Sequence, residues 1–209
     1  NNHTAKSKSI EIAANGSMTL SNSTFNLVPA GSFDNNNSDA TIRNKGVFNI
    51  TNNSKVKIIS DTREHNESAS VGIVNSGTMT VDGSTITINT SSPKSRSYSR
   101  HGIYNYGSSS SLYIKNKSLI DIDTNMTGET YGIYADNSST DEDKGIYLDG
   151  ESAIDVSAPK AYGVYVKQGK CVMGVREGTQ SDTSSKSWPL IKAISNEAVS
   201  GATGIGMTK

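Results

Sequence analysis

Apolar residues along this chain stand two apart, in short runs that return at nearly constant intervals. The most regular run is Ser-x-apolar-x-apolar. It reads Ser23-Thr24-Phe25-Asn26-Leu27, Ser54-Lys55-Val56-Lys57-Ile58, Ser84-Thr85-Ile86-Thr87-Ile88, Ser118-Leu119-Ile120-Asp121-Ile122 and Ser152-Ala153-Ile154-Asp155-Val156, with starts 30 to 34 residues apart. A second run precedes each serine. Its clearest copies are Ile42-Arg43-Asn44-Lys45-Gly46-Val47-Phe48-Asn49-Ile50 and Ile73-Val74-Asn75-Ser76-Gly77-Thr78-Met79-Thr80-Val81. Ile103-Tyr104-Asn105-Tyr106-Gly107 is a looser copy, continued by Leu112 and Ile114. The first copy runs from Ile12 through Gly16 to Met18 and Leu20, with its Asn displaced by one. In the fifth, an insertion from Asp136 to Asp143 separates Ile133 from Ile146 and Leu148. A sixth opens at Gly163-Val164 and fades after Val175, and Gly204-Ile205 looks like the opening of a seventh.

Strict alternation is the pattern of a half-buried strand, and no stretch keeps a helical period over three turns. A fixed period of this size marks a solenoid. Each coil holds three strands, so the pattern predicts an all-β parallel β-helix of about 30 residues per coil. Corners before the third strand carry Asn22, Asn53, Gly83, Asn116 and Gly150, residue types that tolerate a left-handed backbone. Polar stretches such as Pro29 to Ala40 and Ser91 to Arg100 close the turn into the next coil. Ile86 and Ile88 are expected to point inward, between Val56/Ile58 and Ile120/Ile122. Asn44, Asn75 and Asn105 are expected to stack as an inward ladder. One coil buries about six apolar side chains worth roughly 1.5–3 kcal/mol each. Backbone ordering costs roughly 1–2 kcal/mol per residue, so a coil is stable only when stacked.

Composition fits this architecture. Hydrophobic residues make up 33% of the chain, which in a globular domain suggests disorder; a narrow core needs only alternate strand positions. Twenty basic residues balance 20 acidic ones. There is no basic stripe with interleaved aromatics, so nucleic acid and anionic membrane are not expected partners. No apolar run is long enough to span a bilayer. The start, Asn1-Asn2-His3-Thr4, is not a signal peptide and lacks Met. We read residues 1–209 as one β-helix fragment of a longer solenoid, with regular coils over about 10–175 and an irregular part over 176–209. The single cysteine, Cys171, reads as a small buried hydrophobe.

Three sets of residues could carry chemistry. Aligning the coils on Ile73, Ile103, Ile133 and Val164 puts Val74, Tyr104, Tyr134 and Tyr165 in one column and Val71, His101, Tyr131 and Tyr162 in another. Tyr104, Tyr131, Tyr134, Tyr162 and Tyr165 are the candidate binding residues, because sugar rings pack on aromatic faces; the same ladder would also stabilise a solenoid by stacking. An outward column of Asn26, Lys57, Thr87, Asp121 and Asp155, with Asp123 two beyond Asp121, offers a weak metal or acid/base candidate. A solvated face is the favoured reading of this column. No catalytic residue is assigned. The acidic insertion around Asp136 and Asp141-Glu142-Asp143 reads as a loop tip. His3, His65 and His101 share no metal-ligand spacing, and no cofactor is expected. Asn-x-Ser/Thr sequons, among them Asn22, Asn49, Asn66 and Asn125, are common in a chain of this composition.

The string from Gly72 to Ile88, Gly-Ile-x-Asn-x-Gly-x-apolar-x-apolar-x-Gly-Ser-x-Ile-x-Ile, resembles the coil consensus of bacterial surface adhesins with pectin-lyase-like β-helices, such as autotransporter passenger domains. The resemblance covers roughly Ile10 to Val175. It implies a right-handed helix and an exported protein at the bacterial cell surface. We expect a non-enzymatic binding or structural module that meets a host-surface glycan or protein, or another copy of itself. The same fold hosts polysaccharide lyases, glycoside hydrolases and phage depolymerases, which form the alternative. The Gly-His-Gly of polygalacturonases is missing; His101-Gly102 is only part of it.

Overall fold

The structure, a computed structural model, describes residues 2–7, 10–29, 40–61, 71–91, 100–125, 127–149, 151–174, 189–195 and 202–207. Its strands fall into three sheets, and every pairing within them is parallel. One coil shows the plan. Val71–Asn75 lies in the first sheet, Thr78–Asp82 in the second and Thr85–Ser91 in the third. The first sheet stacks Ile10–Ile12, Ala40–Asn44, Val71–Asn75, Arg100–Tyr106, Glu129–Asp136, Lys160–Gln168 and Ala202–Met207. The second runs from Ser17–Ser21 to Cys171–Met173. The third runs from Asn2–Ser7 to Leu190–Ser195. Each strand pairs with its counterpart one coil away. This is the parallel β-helix expected from the repeat, of the right-handed type that the resemblance implies.

The core is a stack of like on like. Ile86 pairs in register with Val56 and Ile120, and Ile88 with Ile58 and Ile122, all buried as expected. Phe48, Met79, Leu112 and Ile146 form a column of the second sheet, and Ile42, Ile73, Ile103, Ile133 and Val164 one of the first. Strands at both ends add rungs beyond the most regular repeats: Asn2–Ser7 pairs with Thr24–Pro29, and Leu190–Ser195 with Ala153–Ala158. Ile205 pairs with Val164, as the opening of a further coil should.

Polar ladders run through the same interior. Asn44 Nδ2 donates to Asn75 Oδ1 at 2.8 Å, and Asn75 Nδ2 to Asn105 Oδ1 at 2.7 Å. Their amides also reach the carbonyls of Thr78 and Ser111 at the next corner. The serines that mark the repeat form a second ladder. The amides of Ser23, Ser54 and Ser84 donate to the hydroxyls of Ser54, Ser84 and Ser118, at 3.2, 3.1 and 3.2 Å. Each ladder satisfies a corner amide or carbonyl that would otherwise be buried without a partner. The expected corners adopt positive φ: 48° at Asn22, 59° at Asn53, 55° at Gly83 and 55° at Asn116. Gly150 lies outside the described residues.

One register differs from the sequence alignment. Ile10, not Ile12, pairs with Ile42, and Ile12 stands opposite Asn44. The first coil turns its corner on four residues, Ala13 to Gly16, where the next uses Lys45 and Gly46 alone. The stretches at Pro29–Ala40 and Ser91–Arg100, read as connecting loops, lie largely outside the described residues.

Replacing Asn75 with Ala should be among the most damaging polar changes. It strands the buried amide of Asn44 and the carbonyls of Asn105 and Ser111. A loss of about 2–4 kcal/mol in urea unfolding is expected. Exposed Thr19→Ala should shift the midpoint little.

Candidate functional site

The tyrosine columns stand on the first sheet, and a glycine column decides how they face. In each coil a residue pair, Gly72-Ile73, Gly102-Ile103, Gly132-Ile133 or Gly163-Val164, is buried between two outer positions. A Cβ on Gly72 would stand 2.6 Å from Ile88 Cδ1, and one on Gly132 2.7 Å from Val156 Cγ2. These glycines therefore turn to the interior beside the apolar residue. Simple alternation breaks, and the residues flanking each pair turn to the other face of the sheet, where Val71, Val74 and Tyr131 are buried and Tyr104, Tyr134, Tyr162 and Tyr165 half-buried. The two columns thus form a single surface. Register confirms it: His101, Tyr131 and Tyr162 pair across adjacent rungs, as do Tyr104, Tyr134 and Tyr165.

Ring contacts are continuous. Tyr134 stacks on Tyr165 with centroids 5.3 Å apart and planes at 22°, and Tyr131 on Tyr162 at 4.9 Å and 23°. Tyr104 meets Tyr134 edge-on at 5.5 Å and stacks on Tyr106 at 5.1 Å. Near-parallel rings in contact lie about 3.5 Å apart face to face, so these centroid distances mean offset overlap. The rings are laid like tiles, and each leaves part of a face uncovered. Tyr165 leans over Gly206, where a Cβ would stand 2.6 Å from its Cδ2. What forms is a tiled strip and not a flat platform.

The five candidate tyrosines are brought together, but they are not equivalent. Tyr104, Tyr134, Tyr162 and Tyr165 are half-buried. Tyr131 is 7% exposed, covered by His101, Tyr134, Tyr162 and Tyr165, and its hydroxyl donates to Glu129. It lies beneath the strip and supports it. Tyr106, 41% exposed, extends the strip instead. It was missed because it lies outside both aligned columns.

The strip has polar edges, and one of them is Asp136, which the sequence places in the acidic loop tip but which is the last residue of the strand Glu129–Asp136. On one side Asp136 receives Lys167 Nζ at 2.8 Å and Tyr104 Oη at 3.5 Å. On the other stands Glu129, whose register partner is Lys160. Burial, then the nearby Asp136, pushes the Tyr104 phenol up; burial, then Glu129, does the same for Tyr131 and Tyr162. Burial also raises Tyr134, with Lys167 opposing. These phenols stay protonated at neutral pH. His101 sits among Tyr104, Tyr131 and Tyr134, its Nδ1 buried without a hydrogen-bond partner.

The acidic column gathers less. Asp121 pairs in register with Thr87 and Asp155, as aligned. Asp155 is engaged by Lys192 at 3.0 Å. The Asp121 carboxyl is raised by burial, then by Asp155 and Asp123, with Lys192 opposing. Among the described residues no three His, Cys, Asp or Glu side chains are grouped to hold a metal ion. Asp141, Glu142 and Asp143 are exposed. The backbone carbonyls of Glu142 and Asp143 accept from the hydroxyls of Tyr147 and Tyr113, whose rings stack at 5.0 Å. Cys171 is partly buried against the core, and burial pushes its thiol up to about 11, so it is no thiolate nucleophile. No family model, curated protein or solved structure matches the chain.

Burial alone lowers the His101 pKa from 6.5 to about 4. The unfolded chain therefore takes up its proton first as pH falls. The stability held by neutral His101 is complete above pH 6.5 and drains away towards pH 4, by about 3 kcal/mol in all. Urea midpoints across this range should fall more steeply for the native chain than for His101→Phe. Parallel curves would refute the assignment.

Proposed function

We propose that this chain is a non-enzymatic binding module of a bacterial surface protein, an adhesin-type β-helix that attaches to a host glycan through its tyrosine strip. The observation that carries the reading is where the rings are and where they are not. The same two columns hold Ala40 and Arg43 in one coil and Val71 and Val74 in the next. A rung of this sheet is therefore built without aromatics, so closing the fold does not call for six rings on the following three coils. An apolar strip edged by carboxylate and ammonium groups, on a surface otherwise rich in Ser, Thr and Asn, is chemistry suited to a sugar: C–H faces pack on rings while hydroxyls bond to the edges. A matrix protein or a second copy of the chain are the other partners such a surface could meet.

A polysaccharide lyase or hydrolase draws support from one feature, the raised Asp121 carboxyl beside Asp155. An acid and a carboxylate on neighbouring rungs resemble a glycosidase pair. Lys192 already engages Asp155, and the pair stands on the outer column of a sheet, which speaks for a solvated face.

Beads coated with the protein should attach to host-cell monolayers, and Tyr134→Ala or Tyr165→Ala should reduce attachment several-fold. Thr87→Ala on the third sheet should not. Enzymatic removal of surface glycans from the monolayer should mimic the tyrosine variants; attachment that survives it would point to a protein partner. No turnover is expected on pectins or other acidic polysaccharides, with or without calcium. Activity abolished by Asp121→Asn or Asp155→Asn would overturn the proposal.

A further inference from the structure

We infer that the ligand of the tyrosine strip is an uncharged oligosaccharide of about two or three units, lying along the solenoid axis with its hydroxyls on Asp136 and Glu129. This rests on the glycan-binding reading and adds ligand class and orientation.

Length and direction come from the rings. Tyr104, Tyr134 and Tyr165 occupy one column on three successive rungs, a run of roughly 10 Å at about 4.8 Å per rung. Tyr134 and Tyr165 are tiled along the axis and Tyr104 follows edge-on, so an extended chain of sugar rings meets one tyrosine after another only if it runs that way. Across the axis the strip is two columns wide. It is bounded by Asp136 on one side and Glu129 on the other.

Charge selects the class. The strip itself carries no charged group: its members are tyrosines and His101, and the neighbouring rung places buried Val71 and Val74 beside them. Its edge carboxylates are both engaged, Asp136 by Lys167 and Glu129 by the Tyr131 hydroxyl, with Lys160 as the register neighbour of Glu129. The same holds elsewhere on the solenoid, where Glu11 with Lys45, Asp82 with Lys115, Glu151 with Lys117 and Asp155 with Lys192 join adjacent coils. An anionic sugar would bring its carboxylate against Asp136 and Glu129 and compete for an already engaged Lys167. A cationic sugar would compete with Lys167 for Asp136 and with the Tyr131 hydroxyl for Glu129. A neutral sugar meets neither obstacle: carboxylate oxygens with spare lone pairs accept its hydroxyls while the rings take its apolar face.

The test is calorimetric titration of the full 209-residue chain with neutral trisaccharides (maltotriose, cellotriose, tri-N-acetylchitotriose) and acidic ones (trigalacturonate, sialyllactose), at low and high salt. At least one neutral sugar should bind, with affinity nearly independent of salt. Tyr134→Ala should weaken it by roughly five- to tenfold. Tyr165→Ala gives the same readout at a second rung, and circular dichroism checks that each variant keeps its β signal. Asp136→Asn should weaken the neutral ligand. Tyrosine-dependent binding of an acidic sugar in preference to the neutral ones, weakened by salt, would overturn this inference and leave the glycan-binding proposal standing. Binding of no sugar, or binding indifferent to both tyrosine variants, would overturn both.

Discussion

Everything in this molecule depends on the hydrogen-bonded step of about 4.8 Å between one coil and the next. Parallel pairing in register places each residue above its counterpart, so in the regular columns a side chain spends its contacts on a residue of its own kind. Isoleucine meets isoleucine in the core, Asn75 meets Asn44 and Asn105, and Ser84 meets Ser54 and Ser118. A residue type that tolerates its own image at that distance can fill a column. One that does not must be interrupted or paired. The charged columns show the second case: the observed ion pairs run between neighbouring coils, as Lys167 with Asp136 and Lys192 with Asp155.

This constraint explains how a chain with only 33% hydrophobic residues folds. The interior does not have to be wholly apolar, because amides and hydroxyls that stack satisfy one another. The ladders also stop where the sequence departs from its column. Asn105 pairs in register with Ala135, and its Nδ2 is buried without a partner. Just beyond, Asn137 supplies a substitute, donating to the carbonyl and hydroxyl of Ser110 at 2.8 and 2.9 Å. The insertion that follows in this coil is thus tied to the coil before it at its first turn.

The fold was legible in the sequence because it is written several times. Alternation placed Ile86 and Ile88 inside, and the small residues at Asn22, Asn53, Gly83 and Asn116 marked the left-handed corners. Errors came where a single copy departs from the others. Two extra residues in the first corner moved Ile12 into the asparagine column. Leu190–Ser195 carries the third-sheet pattern without the serine that announces it elsewhere. The site was legible in part. Column alignment found the tyrosines, but their facing hung on the glycine before each inward apolar residue. That glycine was visible at Gly72, Gly102, Gly132 and Gly163; what it does follows only from the isoleucine methyl groups of the opposite sheet pressing against it. Glu129, Lys167 and Tyr106 stand off the aligned positions, and their roles come from contacts between coils that alignment alone does not supply.

A solenoid site differs in kind from a pocket. A pocket converges residues from distant parts of a chain, and losing one wall loses the cavity. Here each rung contributes one step of a strip, and neighbouring rungs interact only with each other. The strip begins where Val71 and Val74 give way to His101 and Tyr104 and ends where Tyr165 folds over Gly206. Its length is therefore adjustable by substitution on single rungs, with no change to the fold beneath. On the proposed reading, affinity would accumulate from several weak stacking contacts instead of one deep enclosure, and such a surface would serve reversible attachment, where many modest contacts act together.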